Sequence, residues 1–357
     1  EDTYLRQTTR VGDADTFAWA HLSPDGQQAV YRWLDDAGTG WVRFVDTATG
    51  ERTPPTRLPA VEGQPWVSGA WHPRGGRYVG YVSYRCDGVH CGAPGTVTVL
   101  DSASGRSSQE PQDLVDGDDD IYSVAYIDEG RSLLVSDSER TFVVEGETLR
   151  PRGEPVDVLT TCCATAIGDG GTVMVHEWSS DGLSTHWRVL DIDAGEVLSE
   201  GDADLFVYTS AASPDGSTVA LAGTTGEIVT VDIATGTERE STSLGAEVHW
   251  LSYSDDGELL VSGAADGGVS LWDASTLDLL GTVHPPRHGE SVPSGAQFIG
   301  DTHDVAIASY DGSIYRWDTD VDRAIDFACQ MAGRDMTEEE WAQFLPAQPY
   351  RSVCPQH

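Results

Sequence analysis

Ser23-Pro24-Asp25-Gly26 is the first of seven related turns along this chain. The others, several of them degraded, are His72-Pro73-Arg74-Gly75, Ile127-Asp128-Glu129-Gly130, Gly168-Asp169-Gly170, Ser213-Pro214-Asp215-Gly216, Ser254-Asp255-Asp256-Gly257 and Gly300-Asp301-Thr302. Roughly twenty residues after each turn, a short strand-like segment ends in an acidic residue. Self-similarity of this kind is the signature of a repeat architecture, so the repeat decides the fold of the whole chain.

The internal pattern of one repeat predicts its secondary structure. In the repeat around Gly257, an apolar segment (248–253) precedes the turn, a second (259–262) follows it, and a third (269–273) follows a bend at Asp266-Gly267. Short apolar segments separated by turn residues are typical of antiparallel strands. Four such strands per repeat form a blade of a β-propeller. We therefore predict an all-β fold, a seven-bladed propeller over residues 1–320.

Two dipeptides add a family resemblance. Trp272-Asp273 and Trp317-Asp318 resemble the Trp-Asp dipeptide of WD40 repeats, in which Ser-Pro-Asp-Gly is a common hairpin turn. The resemblance covers about residues 13–320, although the Gly-His part of the family signature is nearly absent. It implies that Asp266 and Asp311 stabilise their blades through hydrogen bonds, and that the ring is a non-catalytic binding surface.

The ring also needs a closing strand. The seventh repeat has its third strand at 313–318 but no obvious fourth strand after it, whereas the segment 3–10 alternates ahead of the first complete repeat. We predict that this N-terminal segment supplies the missing strand, so that the two ends of the array pair and no long edge is left open.

A set of apolar residues at one position of each repeat, just before the turn, predicts packing between blades. Its members are Leu22, Trp71, Tyr126, Ala166, Ala212, Tyr253 and Phe298. Trp71 is therefore expected in the core rather than on a ligand-binding surface.

The tail, 321–357, is predicted to be a helical cap. Residues 323–331 favour one helix, and a capping box from Thr337 to Glu340 opens a second at 338–345. The stretches 328–334, 337–341, 349–351 and 354–355 are similar to the segment that closes WD40 propellers of large actinobacterial signalling proteins. In those proteins the propeller follows a STAND-type NTPase, sometimes with a transcriptional-activator domain, and often a membrane span. That resemblance implies an upstream signalling domain in the parent chain and a sensor role for the propeller.

Six cysteines form three pairs that are close in sequence or in the tail: Cys86 and Cys91, Cys162 and Cys163, and Cys329 and Cys354. In an oxidising compartment these pairs predict disulfides, and free thiols are the cytosolic alternative. We expect an extracytoplasmic, cell-surface location, with a cytoplasmic one as the alternative. Zinc held by Cys86, Cys91 and His90 is a weaker interpretation, because a fourth ligand is missing nearby.

Charge narrows the class of partner. The chain has 59 acidic residues against 21 basic ones, for a formal net charge of −38. Nucleic acids and anionic membranes attract cationic patches, so both are disfavoured as partners. No apolar run approaches the ~18 residues that suggest a membrane-spanning helix. The excess of negative charge predicts first a soluble, self-repelling surface, and the alternative is a docking face for a cationic protein, peptide or small ligand.

The loops entering the innermost strands gather acidic and aromatic residues on one face of the predicted ring. Carboxylates beside aromatic faces suit a cationic ligand, through ion pairs and cation–π contacts. The candidate binding residues are Asp13, Asp15, Trp66, Asp119, Tyr122, Asp204, Tyr208, Glu247 and His249.

Catalysis and cofactors find little support in the motifs. Neither a Gly-x-Ser-x-Gly elbow nor a phosphate-binding Gly-x-x-x-x-Gly-Lys loop is present. We expect no cofactor and no metal; the best local Ca²⁺ candidate, 116–120, lacks the distal Glu of a calcium loop. The predicted function is a non-catalytic sensor or interaction module of a bacterial signalling protein. The alternatives are a cytosolic autoinhibitory scaffold for an NTPase and a propeller hydrolase.

Overall fold

The computed structural model describes residues 5–10, 19–37, 39–58, 65–84, 96–108, 110–114, 121, 123–137, 141–156, 164–168, 170–179, 183–286, 293–344, 349–352 and 354. Within them the chain forms seven four-stranded antiparallel sheets, which are the seven blades of a β-propeller. The predicted all-β fold and blade number are confirmed.

The first strand, β1 (Leu5–Arg10), lies apart from blade 1. Blade 1 contains β2 (Trp19–Leu22), β3 (Gln28–Leu34), β4 (Gly40–Asp46) and β5 (Thr56–Arg57). Blade 2 contains β6 (Pro65–Trp71), β7 (Arg77–Tyr84), β8 (Thr96–Asp101) and β9 (Gln112–Asp113). Blade 3 contains β10 (Ser123–Ile127), β11 (Ser132–Ser136), β12 (Thr141–Glu145) and β13 (Pro151–Val156). Blade 4 contains β14 (Ala164–Ile167), β15 (Thr172–Trp178), β16 (Thr185–Asp191) and β17 (Glu196–Ala203). Blade 5 contains β18 (Val207–Ala212), β19 (Thr218–Gly223), β20 (Ile228–Asp232) and β21 (Glu238–Glu240). Blade 6 contains β22 (Val248–Tyr253), β23 (Leu259–Ala264), β24 (Val269–Asp273) and β25 (Leu279–Val283). Blade 7 contains β26 (Pro293–Phe298), β27 (Val305–Ser309) and β28 (Ser313–Trp317).

The outermost strand of blade 7 is β1, which pairs antiparallel with β28. Leu5 lies opposite Trp317 at one end of this ladder, and Arg10 lies opposite Ser313 at the other. The expectation that the N-terminal segment closes the ring is therefore confirmed for residues 5–10.

The recurring turn has a specific hydrogen-bond pattern. In the first copy, Ser23 Oγ donates to Asp25 Oδ1 (2.6 Å) and accepts from the backbone N–H of Gln28 (2.9 Å). Gly26 has a φ of 64°, and a Cβ atom there would lie 2.4 Å from the carbonyl oxygen of Phe298 in the neighbouring blade. Glycine is therefore required both by the left-handed backbone and by the close approach of blade 7. Ser213 and Ser254 repeat the serine contacts.

The core lies between adjacent blades. Of the residues predicted to pack there, Leu22, Trp71, Tyr126, Tyr253 and Phe298 are buried, and Ala166 and Ala212 are half-buried. Trp71 packs edge-on against Phe44 and Tyr78, and its indole N–H donates to the carbonyl oxygen of His21 at 3.0 Å. Its predicted core role is confirmed.

The Trp-Asp repeat residues also take structural roles. The buried Trp272 donates its indole N–H to Ser262 Oγ at 2.9 Å. Asp266 accepts from the backbone N–H of Gly268, and Asp311 accepts from that of Ser313, both at 2.9 Å. The two bend aspartates thus hold the turns between the second and third strands of their blades.

Two helices follow the ring, α1 (Val321–Ala332) and α2 (Glu338–Phe344). Asp320 caps α1 by accepting from the N–H of Arg323 at 3.0 Å. The predicted capping box opens α2, since Thr337 and Glu340 each accept from the other's backbone N–H. Neither helix is long and apolar enough to span a bilayer.

A disulfide joins Cys329 in α1 to Cys354, with their Cα atoms 5.4 Å apart. This pair forms as predicted and ties the end of the tail to α1. The other predicted pairs, Cys86 with Cys91 and Cys162 with Cys163, lie outside the described residues.

Candidate functional site

Three adjacent blades carry β-bulges at the start of their innermost strands. The pairing register shifts between Val207 and Thr209 in β18, between Val248 and Trp250 in β22, and between Pro293 and Gly295 in β26. The extra residues, Tyr208, His249 and Ser294, therefore occupy equivalent positions in blades 5, 6 and 7, and Tyr208 and His249 carry aromatic rings there. A bulge changes the direction of the side chain that it carries, and bulges are frequent beside functional sites.

These two side chains are the centre of a continuous aromatic strip, which consists of Trp178, Phe206, Tyr208, His249 and Trp250. Ring centroids lie 4.4 Å apart for Trp178 and Phe206, then 5.5, 5.1 and 5.5 Å for the successive pairs. All five side chains are half-buried. The strip crosses blades 4, 5 and 6 on the upper face, defined as the face that carries the loops entering the innermost strands.

Hydrogen bonds between side chains and the backbone hold this strip in place. The indole N–H of Trp178 donates to the carbonyl oxygen of Val207 at 3.0 Å, which ties blade 4 to blade 5. The buried hydroxyl of Thr185 donates to the carbonyl oxygen of Leu205 and accepts from the N–H of Val207. The loop between blades 4 and 5 is therefore fixed by the blade before it.

Two carboxylates flank the strip. Glu247 Oε2 lies 3.4 Å from His249 Nε2, and the backbone carbonyl of Glu247 accepts from the N–H of Ala265 at 2.8 Å. Burial, and then the charge of Glu247, raise the pKa of Tyr208. Asp204 is exposed in the loop that leads to Phe206. The strip therefore combines polarisable aromatic faces with negative charge, an arrangement that attracts cations.

Gly263 allows Trp250 to lie flat across the sheet. The two residues are cross-strand partners, and a Cβ atom at Gly263 would lie 2.6 Å from Trp250 Cε3. We expect Gly263→Ala to displace the indole and to lower the free energy of unfolding by about 1–3 kcal/mol, the usual cost of overpacking. Chemical denaturation followed by tryptophan fluorescence measures this loss. Gly170→Ala, where a Cβ meets nothing within 4 Å, is the control and should unfold as the wild type does.

The structure brings together part of the predicted site. Tyr208, Glu247 and His249 are contiguous, and Asp204 lies in the adjoining loop. Trp66 stands near the start of β6, opposite Ser83. Asp13, Asp15, Asp119 and Tyr122 lie outside the described residues, as does the calcium candidate 116–120. Among the residues that the structure does describe, no group of three or more His, Cys, Asp or Glu side chains is arranged to hold a metal ion.

Sequence reasoning missed Trp178 and Phe206. Their strand positions are a signal that could have found both. In each blade the second strand ends on the face where the innermost strand begins. Trp178 ends β15, a second strand, and Phe206 immediately precedes β18, an innermost strand. The contact between Trp178 and Phe206 crosses the boundary between two blades and so requires the three-dimensional arrangement.

Comparison with known protein families places one repeat. Residues 239–273 match the family model described as WD domain, G-beta repeat. The match runs from β21 of blade 5 to the end of β24 in blade 6, and so includes Glu247, His249 and Trp250. No curated protein matches the chain. The protein is thus a seven-bladed propeller that contains a WD40 repeat, a fold that is typically a protein-interaction module and generally not catalytic.

Proposed function

We propose that this propeller is a binding module whose upper face receives a cationic group, carried by a peptide or a small ligand, on the aromatic strip. The observation that carries the proposal is that the bulges of blades 5 and 6 place Tyr208 and His249 side by side, with ring centroids 5.1 Å apart. A guanidinium or ammonium group over such rings gains cation–π attraction, and Glu247 supplies a nearby negative charge.

The wider role that we propose is that of a sensor domain in a bacterial signalling protein, located outside the cytoplasm. Two features support it. The tail is similar to the segment that closes the propellers of actinobacterial signalling proteins, and the disulfide between Cys329 and Cys354 is of the kind that persists in oxidising compartments. Occupancy of the upper face would then bias a signalling domain elsewhere in the parent chain.

The binding test uses N-acetyl-arginine methylamide and tetramethylammonium as probes. We expect either cation to shift the tryptophan fluorescence saturably, with an affinity that falls as salt is raised. Tyr208→Ala should weaken binding about fivefold, because one cation–π contact is worth roughly 1 kcal/mol. Tyr208→Phe keeps the ring and should bind nearly as the wild type does.

A matched control comes from blade 1. Trp33 is a half-buried aromatic that stacks on Trp41 with centroids 6.4 Å apart. Trp33→Ala should leave probe binding unchanged, since it removes an aromatic surface away from the strip. Equal losses in Trp33→Ala and Tyr208→Ala, or no saturable signal in the wild type, would contradict the proposed site.

A further inference from the structure

A groove with a volume of about 680 Å³ lies between blades 6 and 7, beside the start of α1. We call it the lateral groove. Its lining includes Leu259, Leu271, Leu280, Gly281 and Trp317, together with the 301–304 turn. None of its residues belongs to the aromatic strip, because they come from the first turn and the second, third and outer strands of blade 6, from the first turn and third strand of blade 7, and from the tail.

The groove exists because a side chain is missing on one strand. Gly281 in β25 pairs with Leu271 in β24, so a side chain at 281 would share the face on which Leu271 packs towards blade 7. A Cβ atom built at Gly281 meets nothing within 4 Å. The space beside Leu271 and above the buried Trp317 is therefore open to an incoming side chain.

The wall of this groove is apolar and exposed. Leu280 has 54% of its surface exposed, and it lies at the bulge that separates the Leu271 and Trp272 pairings. Leu259 is half-buried at the floor. A leucine held open to water next to an unfilled apolar floor loses hydrophobic stabilisation that a bound apolar side chain would restore.

The rim of the groove is acidic. Glu258, Asp301 and Asp320 are exposed around it. Arg323 contacts the carboxylates of Asp304, Asp318 and Asp320 at 3.5, 3.0 and 3.4 Å, so its charge is more than compensated. His303 also faces a carboxylate, since its Nε2 lies 2.7 Å from Asp256 Oδ2.

The neighbouring turn shows the same excess of negative charge. Burial, together with the carboxylates of Asp301, Asp256 and Asp25, raises the pKa of Asp255. An occupant of the lateral groove therefore has to be cationic as well as apolar. A second copy of this chain is a poor occupant, because its net charge is −38.

We propose that the lateral groove is a second docking site, which takes an extended segment of a partner protein with one or two apolar side chains flanked by arginine or lysine. An apolar side chain fills the space beside Leu271, and the flanking cations meet Glu258 and Asp301. Because α1 begins at the rim, the bound segment contacts both the propeller and the tail.

The test measures fluorescence anisotropy of a labelled peptide, Arg-Arg-Leu-Leu-Arg-Arg, against the wild-type chain and its variants. Gly281→Phe places a phenyl ring in the groove, and its Cβ atom has no heavy atom within 4 Å. This variant should weaken binding at least tenfold. Gly170→Phe is the control, since Gly170 also has open space around its Cβ and lies on blade 4. It should bind as the wild type does.

A second pair of variants guards against a folding defect in the first. Leu280→Ser should weaken binding severalfold, whereas Leu198→Ser, at a leucine with 52% of its surface exposed on blade 4, should not. The peptide Arg-Arg-Gly-Ser-Arg-Arg carries the same charge without the leucines and should bind at least tenfold more weakly to the wild type.

Four results would overturn the proposal. If binding survives both Gly281→Phe and Leu280→Ser, the groove is not the binding site. If the glycine-serine peptide binds equally well, the interaction is only general charge attraction. Binding that is lost in Tyr208→Ala but kept in Gly281→Phe belongs to the aromatic strip, which separates this proposal from the one above. A dimer in light scattering that Gly281→Phe dissociates would make the occupant a second copy.

Discussion

Removing residues 5–10 should open the ring and lower the free energy of unfolding by about 3–5 kcal/mol. The deletion removes β1, whose five residue pairs with β28 run from Leu5–Trp317 to Arg10–Ser313. Each ladder hydrogen bond lost is worth about 1 kcal/mol, and the exposed edge of β28 becomes free to pair with another chain. Urea denaturation gives the stability loss, and size-exclusion chromatography at rising concentration reports the predicted association.

Adding the strand back provides the control. A synthetic peptide that spans residues 1–12 should restore much of the lost stability when it is added in excess, because it can occupy the edge of β28 in trans. A peptide of the same composition in scrambled order should not. An unchanged denaturation midpoint in the shortened chain would show that β1 contributes little to the closure of the ring.

Acid should destabilise the protein through His176. This residue lies in β15 opposite Trp187 and is 1% exposed, and burial lowers its pKa from 6.5 to about 4. Between these two values the unfolded chain binds a proton that the folded chain does not, so stability falls as the pH is lowered through that window. At about 1.4 kcal/mol per pH unit, the histidine costs about 3 kcal/mol by pH 4.

The measurement compares the wild type with His176→Leu, which replaces the imidazole with an apolar side chain of similar size that does not titrate. Stability should decline less steeply between pH 6.5 and 4 in the variant, and the difference between the two curves should level off below pH 4. The imidazole C–H resonances of His176 give a direct check by NMR. Titration of those resonances near pH 6.5 in the folded protein would contradict this explanation.

The fold could be predicted from the sequence because its determinants are local. Ser23, Asp25 and Gly26 make their turn with contacts inside six residues, and the same set recurs at Ser213 and Ser254. Closure by the N-terminal segment followed from a count of strands, since one blade lacked its fourth. The cap of α2 was equally local, being formed by Thr337 and Glu340.

The candidate site was only partly predictable, because its geometry depends on contacts between blades. The loop positions of Tyr208 and His249 could be inferred, but the bulges that bring their rings together leave no clear sequence signal. The lateral groove was not predicted at all. Gly281 looks like any other strand glycine until its partner Leu271 and the neighbouring blade are known.

The closure of the ring by β1 also has a mechanical consequence. Leu5 and Trp317 are opposite each other at the same end of an antiparallel pair, so a force applied through the two ends of the ring would load one hydrogen bond at a time. The hydrogen bonds of such a ladder break one after another at low force, whereas breaking all of them at once in shear would need a much larger force. Blade 7 is therefore the point at which tension between the attached segments would first open this otherwise rigid ring.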